Sequence, residues 1–270
     1  MSTRRQPHST SRWHGVGLTD QGLVRASNQD AFAVMNDRET WIVADGMGGR
    51  AGGDVASRIT VDLLVTELSC SFDASSDEEV SDIQRRSDLL HRATHKANQS
   101  VRDEVRRRPD LYGMGTTLVI LSIVATPQQS AVLAHVGDSR AYCLRNGILT
   151  QITRDHSFVE EAVQGGTLTP LEASSHPMRH VLTRAVGAES HVEAEITVHP
   201  LSPDDLLLLC TDGLTKMMDD QDIRRILLQP ATSLLDIAQA LIKEANVRGG
   251  ADNTTVVLAR NELTTSRQER

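Results

Sequence analysis

Five aspartates stand beside glycine or at the ends of short apolar runs, where a carboxylate can be held rigidly. They are Asp30, Asp45, Asp138, Asp212 and Asp252. Carboxylate oxygens fixed at strand ends, with glycine allowing close approach of the backbone, suit hard divalent cations. Any single Asp-Gly pair is better interpreted as an ordinary turn. Four of the five share the same relation to a strand end, so the pattern favours a site that binds two metal ions.

The segments around these aspartates form an ordered set of six motifs. They are Arg25-Ala26-Ser27-Asn28-Gln29-Asp30, Asp45-Gly46-Met47-Gly48-Gly49, Gly113-Met114-Gly115-Thr116-Thr117, His135-Val136-Gly137-Asp138-Ser139-Arg140, Cys210-Thr211-Asp212-Gly213 and Gly250-Ala251-Asp252-Asn253. In this order they resemble the motifs of the protein phosphatase 2C family, the metal-dependent PPM serine/threonine phosphatases, in its bacterial form. The resemblance covers residues 15–260, nearly the whole chain.

The resemblance implies an α+β fold, namely a four-layer α-β-β-α sandwich of two antiparallel sheets flanked by helices. It also implies a centre of two core Mn²⁺ or Mg²⁺ ions, to which bacterial members add a third. Asp45 would bridge the two core ions, and the carbonyl group of Gly46 would bind one of them. Asp212 and Asp252 would hold the other.

Two further aspartates have supporting roles in this comparison. Asp30 would act largely through metal-bound water. Asp138, together with Asp212, resembles the ligands of the third, weaker ion. Some bacterial members place a serine ligand of that ion where this chain has His180, so an imidazole ligand and a plain loop residue both stay open for this position.

The implied activity is hydrolysis of phosphoserine and phosphothreonine in proteins, opposing a bacterial serine/threonine kinase. Two cations about 3.5–4 Å apart share a water, lower its pKa and aim it in line at phosphorus. Arg25 lies five residues before Asp30 and matches the family's phosphate-clamping arginine, whose planar fork of donors suits phosphate. Eukaryotic members carry a histidine where this chain has Met47, so the general acid is unassigned and water is a candidate.

Hydrophobic patterns indicate the elements that must position these residues. Apolar runs at 31–35 and 41–44 predict a hairpin that delivers Asp45 at its end. Asn146-Gly147 predicts a tight hairpin turn, because both residues tolerate positive φ. The remaining predicted strands are 116–124, 131–136, 141–144, 148–152, 206–210 and 254–259, and the predicted helices are 51–68, 83–105, 221–228 and 234–247.

No repeat or linker divides the chain, which predicts one phosphatase domain over residues 15–260. Residues 1–14 are expected to form a flexible basic arm, and residues 261–270 a frayed tail. Within the domain, the polar segment 156–180 contains Gly165-Gly166 and is expected to form a flap.

Composition narrows the choice of partners. A formal net charge of −8 and a pI near 5.7 argue against nucleic acid, because clustered Lys and Arg supply affinity for phosphate backbones. The longest apolar stretches fall well short of the ~20 residues that cross a bilayer, so no membrane partner is expected. Cys70, Cys143 and Cys210 are interpreted as reduced core thiols. These features predict a cytoplasmic protein, taken to be a monomer, whose partners are phosphorylated proteins.

The sequence lacks the residues that two other classes of phosphate-processing enzyme require. A cysteine-dependent phosphatase needs an arginine six residues after its nucleophile, and a P-loop enzyme needs Gly-x-x-x-x-Gly-Lys followed by Ser or Thr; neither pattern is present. A pseudophosphatase that serves as a binding module is disfavoured because Asp45, Asp212 and Asp252 are all in place. A small phosphoester or a phosphorylated anti-sigma-type regulator stays open as substrate, since fold and motif do not decide substrate.

His91 and His95 are spaced i, i+4 on a predicted helix. This spacing could chelate a metal ion, since zinc proteases use it, but here Arg92 stands where those enzymes need glutamate. A solvated helix face is therefore the favoured interpretation.

Overall fold

The computed structural model describes residues 11–48, 52–70, 81–125, 128–230 and 233–263, and eleven strands lie within these ranges. They are β1 Ser11–Asp20, β2 Asp30–Met35, β3 Thr40–Met47, β4 Gly115–Thr116, β5 Leu118–Val124, β6 Ser130–Val136, β7 Arg140–Arg145, β8 Ile148–Gln151, β9 Glu195–Pro200, β10 Leu206–Cys210 and β11 Thr254–Leu263. One sheet has the order β1-β11-β10-β7-β8. The other has the order β2-β3-β5-β6-β9, with β4 paired to β3. Every pairing is antiparallel.

The two sheets pack face to face around an apolar layer. Trp13 on β1 and Trp41 on β3 are fully buried in it, with β-branched and leucine side chains from both sheets around them. Burying a leucine or valine side chain contributes about 1.5–3 kcal/mol relative to leaving it exposed. The interior of the sandwich therefore fixes the relative position of the strand ends that carry the aspartates.

Helices cover both outer faces of the sandwich. In the described residues they are α1 Gly53–Cys70, α2 Asp82–Arg107, α3 Phe158–Gln164, α4 Pro170–Ser175, α5 Asp212–Thr215, α6 Asp220–Leu227 and α7 Leu234–Val247. One core cluster joins Leu64 of α1 and Leu90 of α2 to the outer face of the sheet that contains β3. A second cluster joins α6 and α7 to the sheet that contains β10. The four-layer α-β-β-α arrangement expected from the resemblance is confirmed.

None of the helices in the described ranges combines the length and the apolar character needed to cross a membrane.

The predicted hairpins are present. β2 and β3 pair from Asp30 opposite Asp45 to Met35 opposite Thr40. β7 and β8 are joined at Asn146 and Gly147, whose φ values of 50° and 75° are the left-handed conformations that such a turn requires.

Both proposed ends of the domain need correction. β1 begins at Ser11, inside the predicted arm of residues 1–14, and Trp13 is fully buried. This strand was not predicted, because the polar residues before Trp13 show no alternation of apolar and polar side chains. At the other end β11 continues through Leu263, paired with β1, so the predicted tail at 261–270 begins at least three residues too early. Residues 1–10 and 264–270 lie outside the described residues.

Two further expectations are changed. β9, which pairs with β6 along Glu195–Pro200, was not predicted, because its side chains are mostly half-exposed and its pattern is weakly apolar. Of the three free cysteines, only Cys210 is buried in the core; Cys143 is half-buried, and Cys70 is exposed at the end of α1.

The segment predicted as a flap forms α3 and α4, two short capped helices. Its two ends meet where the Phe158 N–H donates to the Val181 carbonyl (2.9 Å) and the Thr183 N–H donates to the His156 carbonyl (2.9 Å). Backbone hydrogen bonds therefore hold the two ends of this segment together.

Candidate metal centre

The hairpin of β2 and β3 delivers two of the aspartates side by side. Asp30 and Asp45 are direct cross-strand partners, so their side chains share one face of the sheet. The main chain of Asp45 is fixed on both sides, since its N–H donates to Thr117 Oγ1 (2.9 Å) and its carbonyl accepts from the Thr117 N–H (2.9 Å). The carboxylate therefore rests on a rigid backbone.

The other sheet brings Asp212 and Asp252 to the same end of the sandwich. Asp212 begins α5 two residues after the end of β10, and Asp252 lies two residues before β11. Asp30 connects the two sheets, because its Oδ2 accepts hydrogen bonds from the hydroxyls of Thr211 (2.9 Å) and Thr255 (2.7 Å).

Asp138 occupies the turn between β6 and β7. The turn depends on Gly137, whose φ of +104° favours glycine and whose added Cβ would lie 2.7 Å from Thr117. Ser139 holds the other side of the turn through a 2.6 Å hydroxyl contact with Thr117. Thr117 thus links the backbones that carry Asp45 and Asp138.

Gly46 lets helix α1 approach the strand that carries Asp45. A Cβ on Gly46 would lie 2.0 Å from the carbonyl oxygen of Gly53, the first residue of α1. The Gly46 N–H donates to the carbonyl of Gln29 (3.1 Å). Glycine is therefore needed here for space rather than for a special φ.

The structure gathers these residues around a cavity of about 950 Å³. Its walls include Arg25, Asp45, Gly46, Asp138, Asp212 and Asp252. Asp30 does not line this cavity, but its charge acts on Asp45. All the sequence-predicted site residues are therefore brought together.

Three of the carboxyl groups resist ionisation. Removal from solvent, followed by the charges of Asp30, Asp212 and Asp138, raises the pKa of Asp45 well above its usual value. Loss of solvent likewise raises the pKa of Asp30 to about 7, even though two hydroxyls donate to it. The pKa of Asp138 is raised to about 7 by loss of solvent and by Asp212. Carboxylates crowded in this way favour a bound cation over further negative charge.

Lys216 is a site residue that the sequence analysis missed. Its ammonium group lies 2.5 Å from Asp212 Oδ2 and 2.9 Å from Asp252 Oδ2. Burial opposes its charge, yet the two carboxylates raise its pKa above the ordinary value. The available signal was its position four residues after Asp212, which is one helical turn.

Arg25 pairs with Asp252 through two parallel contacts. Its Nε lies 2.7 Å from Oδ1, and its Nη2 donates to Oδ2 at 2.8 Å. The arginine side chain is 51% exposed at the rim of the cavity. Burial would raise the pKa of Asp252, but hydrogen bonds from Lys216 and Arg25 lower it below its usual value.

The chemistry of the site fits hard divalent cations. One carboxylate oxygen each of Asp30 and Asp212, Oδ1 in both, is buried without a hydrogen-bond partner among the described residues. A buried carboxylate oxygen without a donor is costly unless a cation satisfies it. The carboxylates at this part of the cavity offer the oxygen ligands that Mn²⁺ and Mg²⁺ prefer.

His180 and Met47 also line the cavity. His180 is mostly exposed. The partial loss of solvent around its ring, followed by the positive charges of Arg179 and Lys216, lowers its pKa. The negative charge of Asp212 also acts on His180 and opposes this lowering of its pKa. Met47 brings no proton donor to the site.

A buried histidine pair braces the Asp138 turn from behind. His156 Nδ1 accepts from the Gly137 N–H (3.1 Å), and its Nε2 lies 3.1 Å from Glu195 Oε2. His135 stacks on it with ring centroids 4.6 Å apart, and burial lowers the pKa of His135 to about 3. Ligand atoms of these three residues lie within 4.8 Å of one another, as in a metal site. Both nitrogens of His156 are already engaged, so we interpret the group as a hydrogen-bond network.

An antiparallel sandwich between two helical layers, with clustered carboxylates and two cationic side chains in one cavity, defines a metal-dependent phosphatase. The sequence profile of the family described as Protein phosphatase 2C matches residues 24–246, which is most of the chain. The chain belongs to this family.

Curated relatives and solved structures agree with this assignment. The serine/threonine phosphatase Stp of Listeria monocytogenes is 39% identical over 254 residues, covering 93% of this chain and 97% of the relative. The crystal structure of the Mycobacterium tuberculosis serine/threonine phosphatase PstP is similar with a TM-score of 0.80 and 37% identity, covering 92% of this chain and 98% of that one. The catalytic domain of PstP, solved with two manganese ions, gives a TM-score of 0.79 at 35% identity, with coverage of 93% and 99%.

Proposed function

We propose that this chain removes phosphate from phosphoserine and phosphothreonine in proteins, using divalent manganese or magnesium ions held by its aspartates. The observation that carries the proposal is the convergence of carboxylates from both sheets on one cavity, where Asp30 and Asp212 each keep a buried oxygen without a donor. The relative solved with two manganese ions supports the choice of metal and the number of core ions.

The proposed ligand roles are supported by which residues line the cavity. Asp45, the Gly46 carbonyl, Asp212 and Asp252 line it and are proposed to hold the two core ions. Asp30 supports them from behind, since it faces Asp45 and is fixed by hydroxyl groups from the other sheet. When bound, such ions activate a water as nucleophile and neutralise phosphate oxygens.

A third, weaker ion is proposed at Asp138 and Asp212. Two observations support this: Asp138 lines the same cavity as Asp212, and the charge of Asp212 contributes to the raised pKa of Asp138. His180 is not included among its ligands.

Arg25 is proposed to bind the substrate phosphate. Its planar fork of donors already engages two oxygens of Asp252, which is the same geometry that a phosphate presents. Because half of the side chain is exposed, the fork can turn from the carboxylate to a phosphate entering at the rim.

Lys216 is proposed to keep Asp252 ionised and to balance part of the negative charge that Asp212 adds to the site. Its ammonium group touches both carboxylates, and an ionised carboxylate is the form that binds a cation. The residue therefore prepares the oxygens rather than contacting the substrate.

The proposal also covers the source of the substrates, the oligomeric state and the location of the enzyme. We infer that the phosphoproteins come from a serine/threonine kinase, and that the enzyme acts as a monomer in the cytoplasm, where ATP supports protein phosphorylation. Residues 15–260, extended by the paired ends of β1 and β11, are proposed to form one phosphatase domain, with residues 156–180 as a flap beside the cavity.

The direct test is phosphate release from a phosphothreonine peptide in Mn²⁺, Mg²⁺ or EDTA. The expected result is turnover with either ion and none after dialysis against EDTA, with recovery on adding Mn²⁺. Undiminished turnover in EDTA would exclude a metal-dependent mechanism. A phosphotyrosine peptide provides the specificity control.

A further inference from the structure

Three histidine rings stack on the surface where helix α2 meets the segment that leads into β9. The ring centroids of His91 and His95 are 4.5 Å apart, and those of His95 and His191 are 4.6 Å apart. The first two side chains come from α2, one turn apart, and the third comes from a position 96 residues further along the chain than His95. Tertiary structure therefore completes the histidine pair that the sequence left as a solvated helix face.

The position of the third histidine is built into the fold. Asn98, one turn further along α2, is buried and holds the segment at two points. Its Oδ1 accepts from the Gly187 N–H (2.6 Å), and its Nδ2 donates to the carbonyl of Glu189 (3.1 Å). These bonds fix the segment against the same helix face two residues before His191.

The central ring, that of His95, is chemically suited to act as a metal ligand. Partial burial, followed by the proximity of His91 and His191, lowers the pKa of His95, so its imidazole is neutral at physiological pH. Neutral imidazole is the form that coordinates metal. The carboxylate of Glu193 also acts on His95 and adds a possible oxygen ligand.

We propose that His91, His95 and His191 form a binding site for a divalent transition-metal ion of the zinc and copper class. Two histidines at i, i+4 on one helix face are a known chelating arrangement, and imidazole nitrogen suits zinc, copper and nickel. His91 and His191 are exposed and can rotate about their side-chain torsions. A metal ion would bind after such rotation, with Zn–N distances of ~2.0–2.1 Å.

This site differs in chemistry from the carboxylate centre and yet touches the same cavity. His191 and Glu193 line the cavity that contains the aspartates, whereas His91 and His95 do not. A bound ion would therefore clamp a wall of the cavity to α2. The histidine site selects nitrogen-seeking ions, while Mn²⁺ and Mg²⁺ prefer the oxygens of the aspartates.

The test is electron paramagnetic resonance of one equivalent of Cu²⁺ added to the full chain in saturating Mg²⁺, which occupies the oxygen sites. Nitrogen superhyperfine structure from at least two imidazoles is expected for the wild-type protein. It should be lost in His95→Ala and in His191→Ala, and kept in His14→Ala, which removes an exposed histidine on β1. Equal spectra for wild-type and His95→Ala would overturn the proposal.

A second measurement tests whether a bound ion holds the segment at residues 188–193 against α2. Zn²⁺ added in Mg²⁺ is expected to slow amide hydrogen exchange in residues 188–193 of the wild-type protein and of His14→Ala, but not of His95→Ala. The zinc dissociation constant should rise at least tenfold in His95→Ala. A change of less than twofold, or equal exchange with and without Zn²⁺, would show that the rings are only stacked. Thermal unfolding of each variant verifies its fold, and His191→Ala serves if His95→Ala is unstable.

Discussion

Asp30 and Asp45 face each other directly across β2 and β3, so two carboxylates share one face of one hairpin at the edge of the cavity. Like charges opposite each other are unfavourable in a sheet. Hydroxyl donors from the other sheet relieve only one oxygen of Asp30. The two carboxyl groups therefore resist ionising together, and a bound cation would allow both to carry their charge.

Asp45→Asn should reduce metal-dependent turnover at least about 100-fold, a larger loss than removing an outer-shell partner of a metal typically causes. The fold should survive, because asparagine keeps the size of the side chain and removes a buried carboxyl group that resists ionisation. Phosphate release from a phosphothreonine peptide and thermal unfolding in EDTA provide the two measurements. Asp62→Asn, on the exposed face of α1, is the matched control. Full activity of Asp45→Asn would contradict the metal assignment.

Arg25→Ala should raise KM with a smaller loss of kcat, since a phosphate contact already made in the ground state contributes mainly to binding. Steady-state kinetics on the phosphopeptide measure both constants. Arg58→Ala removes an exposed arginine from α1 and should change neither. An unchanged KM for Arg25→Ala would mean that Arg25 serves only as the partner of Asp252.

Lys216→Met should lower the free energy of unfolding of the EDTA-treated protein by about 1–3 kcal/mol, because Asp212 and Asp252 lose a partly buried counter-charge. Denaturant titration measures the change. Lys96→Met breaks the exposed pair with Glu67 and should cost about 1 kcal/mol or less. Equal losses of unfolding free energy for the two variants would mean that Lys216 contributes no more than an exposed ion pair.

Metal binding should depend on pH in a defined direction. The pKa values of Asp30 and Asp138 are raised to about 7 in the folded protein, so each carboxyl keeps its proton up to that pH, whereas it ionises near 4 when unfolded. The metal-free protein should therefore lose stability as pH rises from about 4 to 7. Mn²⁺ must displace these protons, so the rise in Tm that it causes should be larger at pH 8 than at pH 6. Calorimetry in Mn²⁺ and in EDTA tests this, and an equal rise at both pH values would contradict it.

Gly46→Ala should destabilise the protein by more than about 2 kcal/mol, since the new Cβ would lie 2.0 Å from the Gly53 carbonyl and two backbones must separate. Turnover should fall as well, because the Gly46 carbonyl moves. Gly165→Ala, at the end of α3 with an ordinary φ of −70°, should stay within about 1 kcal/mol of wild-type. Wild-type Tm for Gly46→Ala would show that α1 can shift without cost.

Local pattern alone determined much of this protein. The β2–β3 hairpin, the Asn146-Gly147 turn, helices α1, α2, α6 and α7, and the aspartates at strand ends all follow from periodicity, turn chemistry and the order of motifs. These features are short-range, so neighbouring residues carry the information that specifies them. The two strands that were not predicted, β1 and β9, also have a local explanation. Their polar or half-exposed residues do not show the apolar pattern typical of a strand.

Only the tertiary structure decided which distant residues meet. Lys216 reaches both Asp212 and Asp252 because β10 and β11 are neighbours in one sheet, a fact that no local spacing contains. His191 reaches His95 because Asn98 fastens one chain segment to α2. Contacts of this kind depend on how layers pack, and packing is a property of the whole chain rather than of any stretch within it.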